Sequence, residues 1–159
     1  MTLGYRTKGK IKISMNKYIG KMLCIMPTNM KGNVKTPATG HLFNVNPDAR
    51  KSPKATAQIF HHLVAKLFYL SRWTKQEIQM AAAFLCTKVQ APDKDDYKKL
   101  TKVMQYPCCT KHLTLTIEPG NSPHWWVDSS YAIHPDMHSH TGINMMLGKG
   151  ATYWMSCKQ

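Results

Sequence analysis

A short stretch near the carboxyl end of the chain holds residue types that could support metal-dependent chemistry. Residues 125–142 read WWVDSSYAIHPDMHSHTG, where an apolar run ends at Asp128 and a loop rich in histidine follows. Carboxylate oxygens are the ligands that Mg²⁺ prefers, and two-metal nucleases build their sites from several of them. Asp128 is therefore the first candidate for a catalytic or metal-binding residue.

The supply of acidic residues limits that chemistry. The chain holds eight Asp and Glu residues in total, and after Asp128 the only one is Asp136, in the histidine-rich loop. Glu118 belongs to the end of the preceding predicted strand. Because one secure carboxylate cannot hold two metal ions, the pattern alone favours a buried or turn-capping aspartate over a working site.

The histidines do not form a recognisable metal motif. His134 and His138 have the H-x3-H spacing of zinc ligands, but Pro135 indicates a loop and no pair of cysteines lies nearby. Two adjacent histidines on a helix, His61 and His62, point about 100° apart and cannot both bind one metal ion. We expect a polar hairpin loop in the first case, and in the second one ring at the core edge and one facing solvent.

Positive charge is the other chemical signal. Lys and Arg number 22 against eight acids, which gives a net charge of +14 and a pI near 9.7. Between Met1 and Arg72 the only acid is Asp48. Such asymmetry favours a nucleic-acid partner, with an anionic membrane surface or no polyanionic partner as the alternatives. The candidate phosphate contacts, each of which is alternatively an ordinary solvated lysine, are Lys8, Lys10, Lys12, Lys17 and Lys21.

Cysteine usage and hydropathy bear on the compartment. Five cysteines occur without a CxxC motif, an odd number that disfavours a disulfide framework and favours a reducing compartment. The longest apolar run, MAAAFLC at 80–86, is much shorter than the roughly 20 residues of a membrane span. We expect an intracellular protein without a membrane partner, and the sequence does not distinguish cytoplasm from nucleus.

The elements that must position these residues follow from periodicity. An alternating pattern predicts two short strands in the first 15 residues, and a helix follows Asn16. Residues 27–54, rich in proline and glycine, are expected to be either a linker or a loop held against another part of the fold. Helices are predicted at 55–73, at 75–89 behind a capping box of Thr74 and Glu77, and at 93–106, closed by Pro107.

The remainder of the chain is predicted to be antiparallel sheet. Alternation indicates strands at 113–118 and 125–132, separated by a turn at PGNSP, 119–123. Two further strands, GINMML and ATYWMS, are joined by a GKG turn at 148–150. The expected fold class is therefore α+β, with helices preceding an antiparallel sheet.

Two segments, 60–106 and 125–150, carry a family resemblance. The first, FHHLVAKLFYLSRWTKQEIQMAAAFLCTKVQAPDKDDYKKLTKVMQY, resembles the part of copia-type retrotransposon polyproteins that follows the reverse transcriptase palm. The second begins at WWVDSSYAIHPDMHSHTG, and with its continuation to LGKGATYWMSCKQ it resembles the opening of the ribonuclease H domain of that polyprotein. With the first 50 residues, which are similar to a hairpin and helix of the family, the resemblance extends over essentially the whole chain.

The resemblance implies a division of the chain into three parts and a role for Asp128. Residues 1–54 would be the end of a reverse-transcriptase-like region, 55–118 a helical thumb and connection segment, and 119–159 the start of an incomplete ribonuclease H-like antiparallel sheet. Asp128 would match the first catalytic aspartate, a Mg²⁺ ligand once the domain is complete. The family's other catalytic acids and its Tyr-x-Asp-Asp motif would lie outside Met1–Gln159.

Three functional hypotheses follow. The first is a retroelement fragment that is not an enzyme in isolation, needs no cofactor, and binds DNA or RNA–DNA hybrids with low specificity. The second is a Mg²⁺-dependent ribonuclease H that other segments of the same polyprotein complete, with Asp128 in its active site. The third is a domesticated protein-interaction module that uses exposed tryptophans, namely Trp125, Trp126 and Trp154.

Overall fold

Five antiparallel strands form one sheet in which the strand order follows the chain order, and four helices pack beside it. The predicted α+β class is confirmed. The computed structural model describes the backbone of residues 1–159 and every side chain except that of Asn29. The elements are β1 (Thr2–Gly4), β2 (Ile11–Ser14), α1 (Asn16–Cys24), α2 (Lys54–Trp73), α3 (Gln79–Cys86), α4 (Lys94–Cys109), β3 (Leu115–Ser130), β4 (His140–Lys149) and β5 (Ala151–Lys158).

The core is built around α2. Helical spacing predicted a buried stripe of four residues, of which Leu63, Leu67 and Leu70 are completely buried, whereas Ile59 is 44% exposed. Burying each leucine stabilises the fold by about 1.5–3 kcal/mol relative to leaving it in water. The other large side chains of the core come mainly from the neighbouring helices and include Ile19, Met22, Phe84, Leu85, Leu100 and Met104.

The loop between α1 and α2 is held against this core. Apart from a short 3-10 turn at Thr28–Met30 it has no helix or strand among its described residues. Leu42 is buried, and the ring of Phe43 packs edge-on against Phe84 with 5.3 Å between centroids. Of the two expectations for this stretch, the structure agrees with a loop that packs on the fold rather than a free linker.

The sequence predicted the start of α4 correctly but not its end. At its start the Asp93 carboxylate accepts hydrogen bonds from the N–H groups of Asp95 and Asp96, both at 2.8 Å, which forms a capping box. The prediction that Pro107 ends the helix was wrong, because α4 continues to Cys109. A proline in the last turn removes only one backbone hydrogen bond, and the Thr110 N–H still reaches the Tyr106 carbonyl at 3.1 Å.

The predicted capping box at Thr74 and Glu77 was also wrong. The N–H groups of Thr74 and Lys75 both donate to the Leu70 carbonyl, at 3.1 and 3.2 Å, so these residues close α2 instead of opening α3. Glu77 lies in a 3-10 turn, Gln76–Ile78, and pairs with Lys75 Nζ at 3.5 Å. Burial lowers the pKa of the Lys75 ammonium group.

β3 is one continuous strand, so the predicted chain reversal at 119–123 was wrong. The stretch forms a bulge between Pro119 and His124 in the pairing with β4. It fits there because Gly120 and Gly148 meet backbone to backbone, where an added Cβ on Gly120 would lie 2.5 Å from the Gly148 Cα. The predicted GKG turn is confirmed, and Gly148 and Gly150 both take positive φ angles there.

The continuity of β3 gives the sheet an open edge. Residues 115–117 pair with β2, whereas 124–130 extend beyond β2 and pair with β4 alone. Trp125, Trp126 and Val127 are 58%, 53% and 65% exposed, although successive residues point to opposite faces of the strand. This half of β3, 121–130, is hereafter called the outer edge.

Candidate functional site

Three of the candidate lysines lie on the hairpin of β1 and β2, together with an arginine that was not among the candidates. In β2, Lys12 points to the face opposite the two isoleucines that flank it, and Lys10 directly precedes the strand. Arg6, Lys10 and Lys12 line one depression of about 250 Å³. Lys8 and Lys10 line a neighbouring cleft of about 450 Å³, beside Tyr5. The hairpin therefore gathers four cations, the three lysines and Arg6.

One of these lysines, Lys10, is in an ion pair and is therefore less available to a phosphate. Lys10 Nζ lies 3.0 Å from Glu118 Oε1, and Lys149 Nζ approaches the same oxygen at 3.8 Å. The hydrogen bond from Lys10 holds the pKa of the Glu118 carboxyl below its usual value. Lys10 is thus partly neutralised. Within the described part of the chain, the other four candidate lysines are in no ion pair.

Lys17 and Lys21 stand apart from the hairpin on α1. They are exposed and four residues apart, so they share one helix face, whereas Ile19 and Met22 on another face are buried. Neither of the two cavities that the hairpin lysines line includes Lys17 or Lys21. The five candidates therefore form two groups, three on the hairpin and two on α1.

Asp128 lies on the outer edge of β3, opposite Gly142 of β4, and is exposed rather than buried. Asp136, the only later acid, is bound to Lys158, which holds the pKa of its carboxyl below the usual value. Among the described residues no three His, Cys, Asp or Glu side chains lie close enough to hold a metal ion. Mg²⁺ binding at Asp128 stays a prediction.

The histidines pair differently from the predicted spacing. His134 Nε2 lies 3.1 Å from Nδ1 of His140, and His138 instead faces the carbonyl of Gln159. The expected hairpin loop is present between β3 and β4, but His134 within it and His140 at its end are buried, 4% and 6% exposed. His61 and His62 are both exposed, so the expectation of one ring at the core edge and one outside fails.

The buried pair extends into a hydrogen-bonded chain. His140 Nε2 lies 2.7 Å from the Ser156 hydroxyl, and both rings pack against Phe43, with centroids 5.1 and 5.2 Å away. Burial is the main cause that lowers the pKa of each histidine. A serine, a base and an orienting group are the parts of a nucleophilic site. Because both rings are buried, a substrate cannot reach the base. We therefore assign the hydrogen-bonded series of His134, His140 and Ser156 a structural role.

Comparisons with known proteins give no family for this chain. No protein-family model matches it, and neither does any curated protein sequence or solved structure. Within the described residues no helix combines the length and hydropathy that crossing a membrane requires. The chemistry of the surface, above all its lysines, is therefore what supports a functional proposal.

Proposed function

We propose that the chain binds nucleic acid without sequence preference through the lysines of the β1–β2 hairpin and of α1. A single observation carries this proposal. Four of the five candidate lysines are exposed to solvent and free of ion pairs within the described part of the chain. They are Lys8, Lys12, Lys17 and Lys21.

Free lysines on a surface suit phosphate contacts. A lysine that neutralises a backbone phosphate releases a condensed counterion, and this gain does not depend on base sequence. Sequence readout needs side chains that are held against base edges, and the flexible lysine ammonium is a point charge without that geometry. Binding to DNA and to RNA–DNA hybrids is therefore expected to be similar in strength and sensitive to salt.

We further propose that the chain is a part of a copia-type reverse transcriptase and ribonuclease H polyprotein and is not catalytic alone. The segments at 60–106 and 125–150 support this origin. So does the outer edge of β3, because a sheet seldom leaves large apolar residues exposed along an unpaired edge. Other segments of the same polyprotein would pair with this edge and would supply the carboxylates that Asp128 lacks.

The binding proposal is tested with a charge-matched pair of variants. The first replaces Lys8, Lys12, Lys17 and Lys21 with glutamine, and the second replaces four other exposed lysines, Lys31, Lys35, Lys54 and Lys111. We expect the first set to weaken binding of a labelled RNA–DNA hybrid, measured by fluorescence anisotropy, by about tenfold or more at moderate salt. The second set should weaken it by a much smaller factor. Equal losses would refute binding through these four lysines in particular.

The ribonuclease H alternative is tested separately, because it concerns Asp128. Cleavage of an RNA–DNA hybrid that requires Mg²⁺, after segments of the polyprotein complete the domain, and that Asp128→Asn abolishes, would support it. A completed domain that does not cut at any Mg²⁺ concentration would exclude it.

The interaction-module alternative draws on one feature, the exposed Trp125 and Trp126 of the outer edge. Trp154 does not contribute to that surface, since its indole N–H donates to the Ser71 carbonyl at 2.6 Å. A bare apolar surface favours partners or self-association. A monodisperse monomer in sizing chromatography would count against this alternative.

A further inference from the structure

A second group of cations lines a cavity between the start of α2 and the first turns of α4. The cavity has a volume of about 730 Å³, which lies within the range of small-ligand sites. Ser52, Thr56 and Tyr97 also line it. The four basic side chains on it are Arg50, Lys51, Lys94 and Lys98.

Backbone hydrogen bonds fix the two segments that supply these cations. Lys51 pairs with Asp93 in an isolated antiparallel bridge, and the Lys94 N–H donates to the Arg50 carbonyl at 3.3 Å. The residues before α2 are thereby held against the first residues of α4. These backbone contacts, rather than flexible side chains alone, bring the four cations around one cavity.

Three acids, Asp93, Asp95 and Asp96, lie beside this cavity at the start of α4, and two of the three carboxylates are engaged by backbone N–H groups rather than by lining cations. The Asp93 carboxylate accepts the two N–H groups that open α4, and Asp96 is 2% exposed and faces the Asp93 N–H at 3.2 Å. Only Asp95 pairs with a lining cation, Lys98, at 2.7 Å. The other three lining cations have no carboxylate partner within the described part of the chain.

We infer that this cavity binds a phosphate group. Like charges around one cavity repel each other, and an anion bound between them offsets that repulsion by attracting each cation. Phosphate offers several acceptor oxygens, which match the fork of Arg50 and the ammonium of Lys94, and hydroxyls such as Thr56 add neutral donors. Tyr97 lines the same cavity, and an aromatic side chain at such a position can stack on a nucleobase.

The phosphate could belong to a mononucleotide or to the backbone of a nucleic acid, and the chemistry of recognition is the same. This site is separate from the lysines of the hairpin and α1, so it does not depend on the proposed function. Loss of hybrid binding in the quadruple lysine variant and retention of phosphate binding at the cavity would be independent results.

The test is calorimetric titration of the whole chain with inorganic phosphate. We expect saturable binding with one phosphate per chain. Arg50→Gln and Lys94→Gln should each weaken it by about tenfold, the effect of losing one charge-assisted hydrogen bond. Lys54→Gln is the matched control, because Lys54 is exposed and adjacent in sequence but does not line the cavity. Circular dichroism verifies that each variant is folded.

A chemical footprint gives a second, independent readout. Phosphate should protect Lys51 and Lys94 from an acylating reagent and leave Lys54 reactive, as judged by peptide mass spectrometry. Adenosine monophosphate and an oligonucleotide without a terminal phosphate then identify the source of the phosphate, according to which binds more tightly. The inference is overturned by a titration without saturation, or by Lys54→Gln weakening binding as much as Lys94→Gln.

Discussion

Lowering the pH should destabilise this protein through the buried pair of His134 and His140. Burial lowers the pKa of both rings, so the folded state keeps them neutral while the unfolded chain takes up protons. Their contribution to stability is present in full above the unfolded pKa, near 6.5. It is lost as the pH falls toward the lowered values of the folded state. The charged neighbours of His134 act in both directions, since Lys158 lowers its pKa and Asp136 raises it.

The geometry sets a ceiling on the size of this effect. Nδ1 of His140 and Nε2 of His134 face each other at 3.1 Å. If both of these nitrogens carried a proton, the hydrogen bond between them would be lost. A ring that stays neutral in the fold lowers the free energy of unfolding by at most about 1.4 kcal/mol for each pH unit below about 6.5. Two such rings give at most about 2.8 kcal/mol per pH unit.

Urea unfolding followed by tryptophan fluorescence at intervals between pH 7.5 and pH 5.5 measures this slope. His134→Gln removes one of the two rings and should reduce the slope, whereas His62→Gln, at an exposed position, should leave it unchanged. Asp96 responds to pH in the opposite sense, because burial raises the pKa of its carboxyl. The difference between variant and wild type is therefore the decisive quantity, and an equal slope in His134→Gln and wild type would refute the reasoning.

Two further predictions concern contacts that join separate parts of the fold. Trp154→Phe should lower the free energy of unfolding by about 1 kcal/mol in urea titrations, because it removes the hydrogen bond to the Ser71 carbonyl; no change would mean that the bond adds nothing. Asp93→Ala should cost about 0.5–2 kcal/mol by removing the cap of α4, and an effect no larger than that of Lys54→Ala would contradict this.

Local patterns predicted the elements whose formation depends on local contacts. The stripe of Ile59, Leu63, Leu67 and Leu70 predicted α2 and, apart from the exposed Ile59, its buried face. The glycines around Lys149 predicted the last hairpin. The bulge at 119–123 was not predictable in this way. PGNSP has the composition of a turn, and only the approach of the Gly148 backbone from β4 makes it part of a strand.

The candidate sites differ in the same way: local patterns predicted some of them, and contacts between distant segments form the others. The exposed lysines of the hairpin and α1 were visible as a run of bases with no acid nearby. The His134–His140 pair was missed because Phe43, which closes over it, comes from a loop almost a hundred residues earlier in the chain. The cations around Arg50 and Lys94 were missed for the same reason, since a backbone bridge between distant segments brings them together.

The salt dependence of hybrid binding tests the central claim most directly. If each of the four unpaired lysines neutralises one phosphate, the slope of log K against log salt concentration is about −3.6 on a duplex. Affinity should then fall by about 150-fold between about 50 and 200 mM salt, and the slope should become much shallower when all four are glutamine. A slope near zero in the wild-type chain, or one that survives these four substitutions, would contradict nucleic-acid binding by this surface.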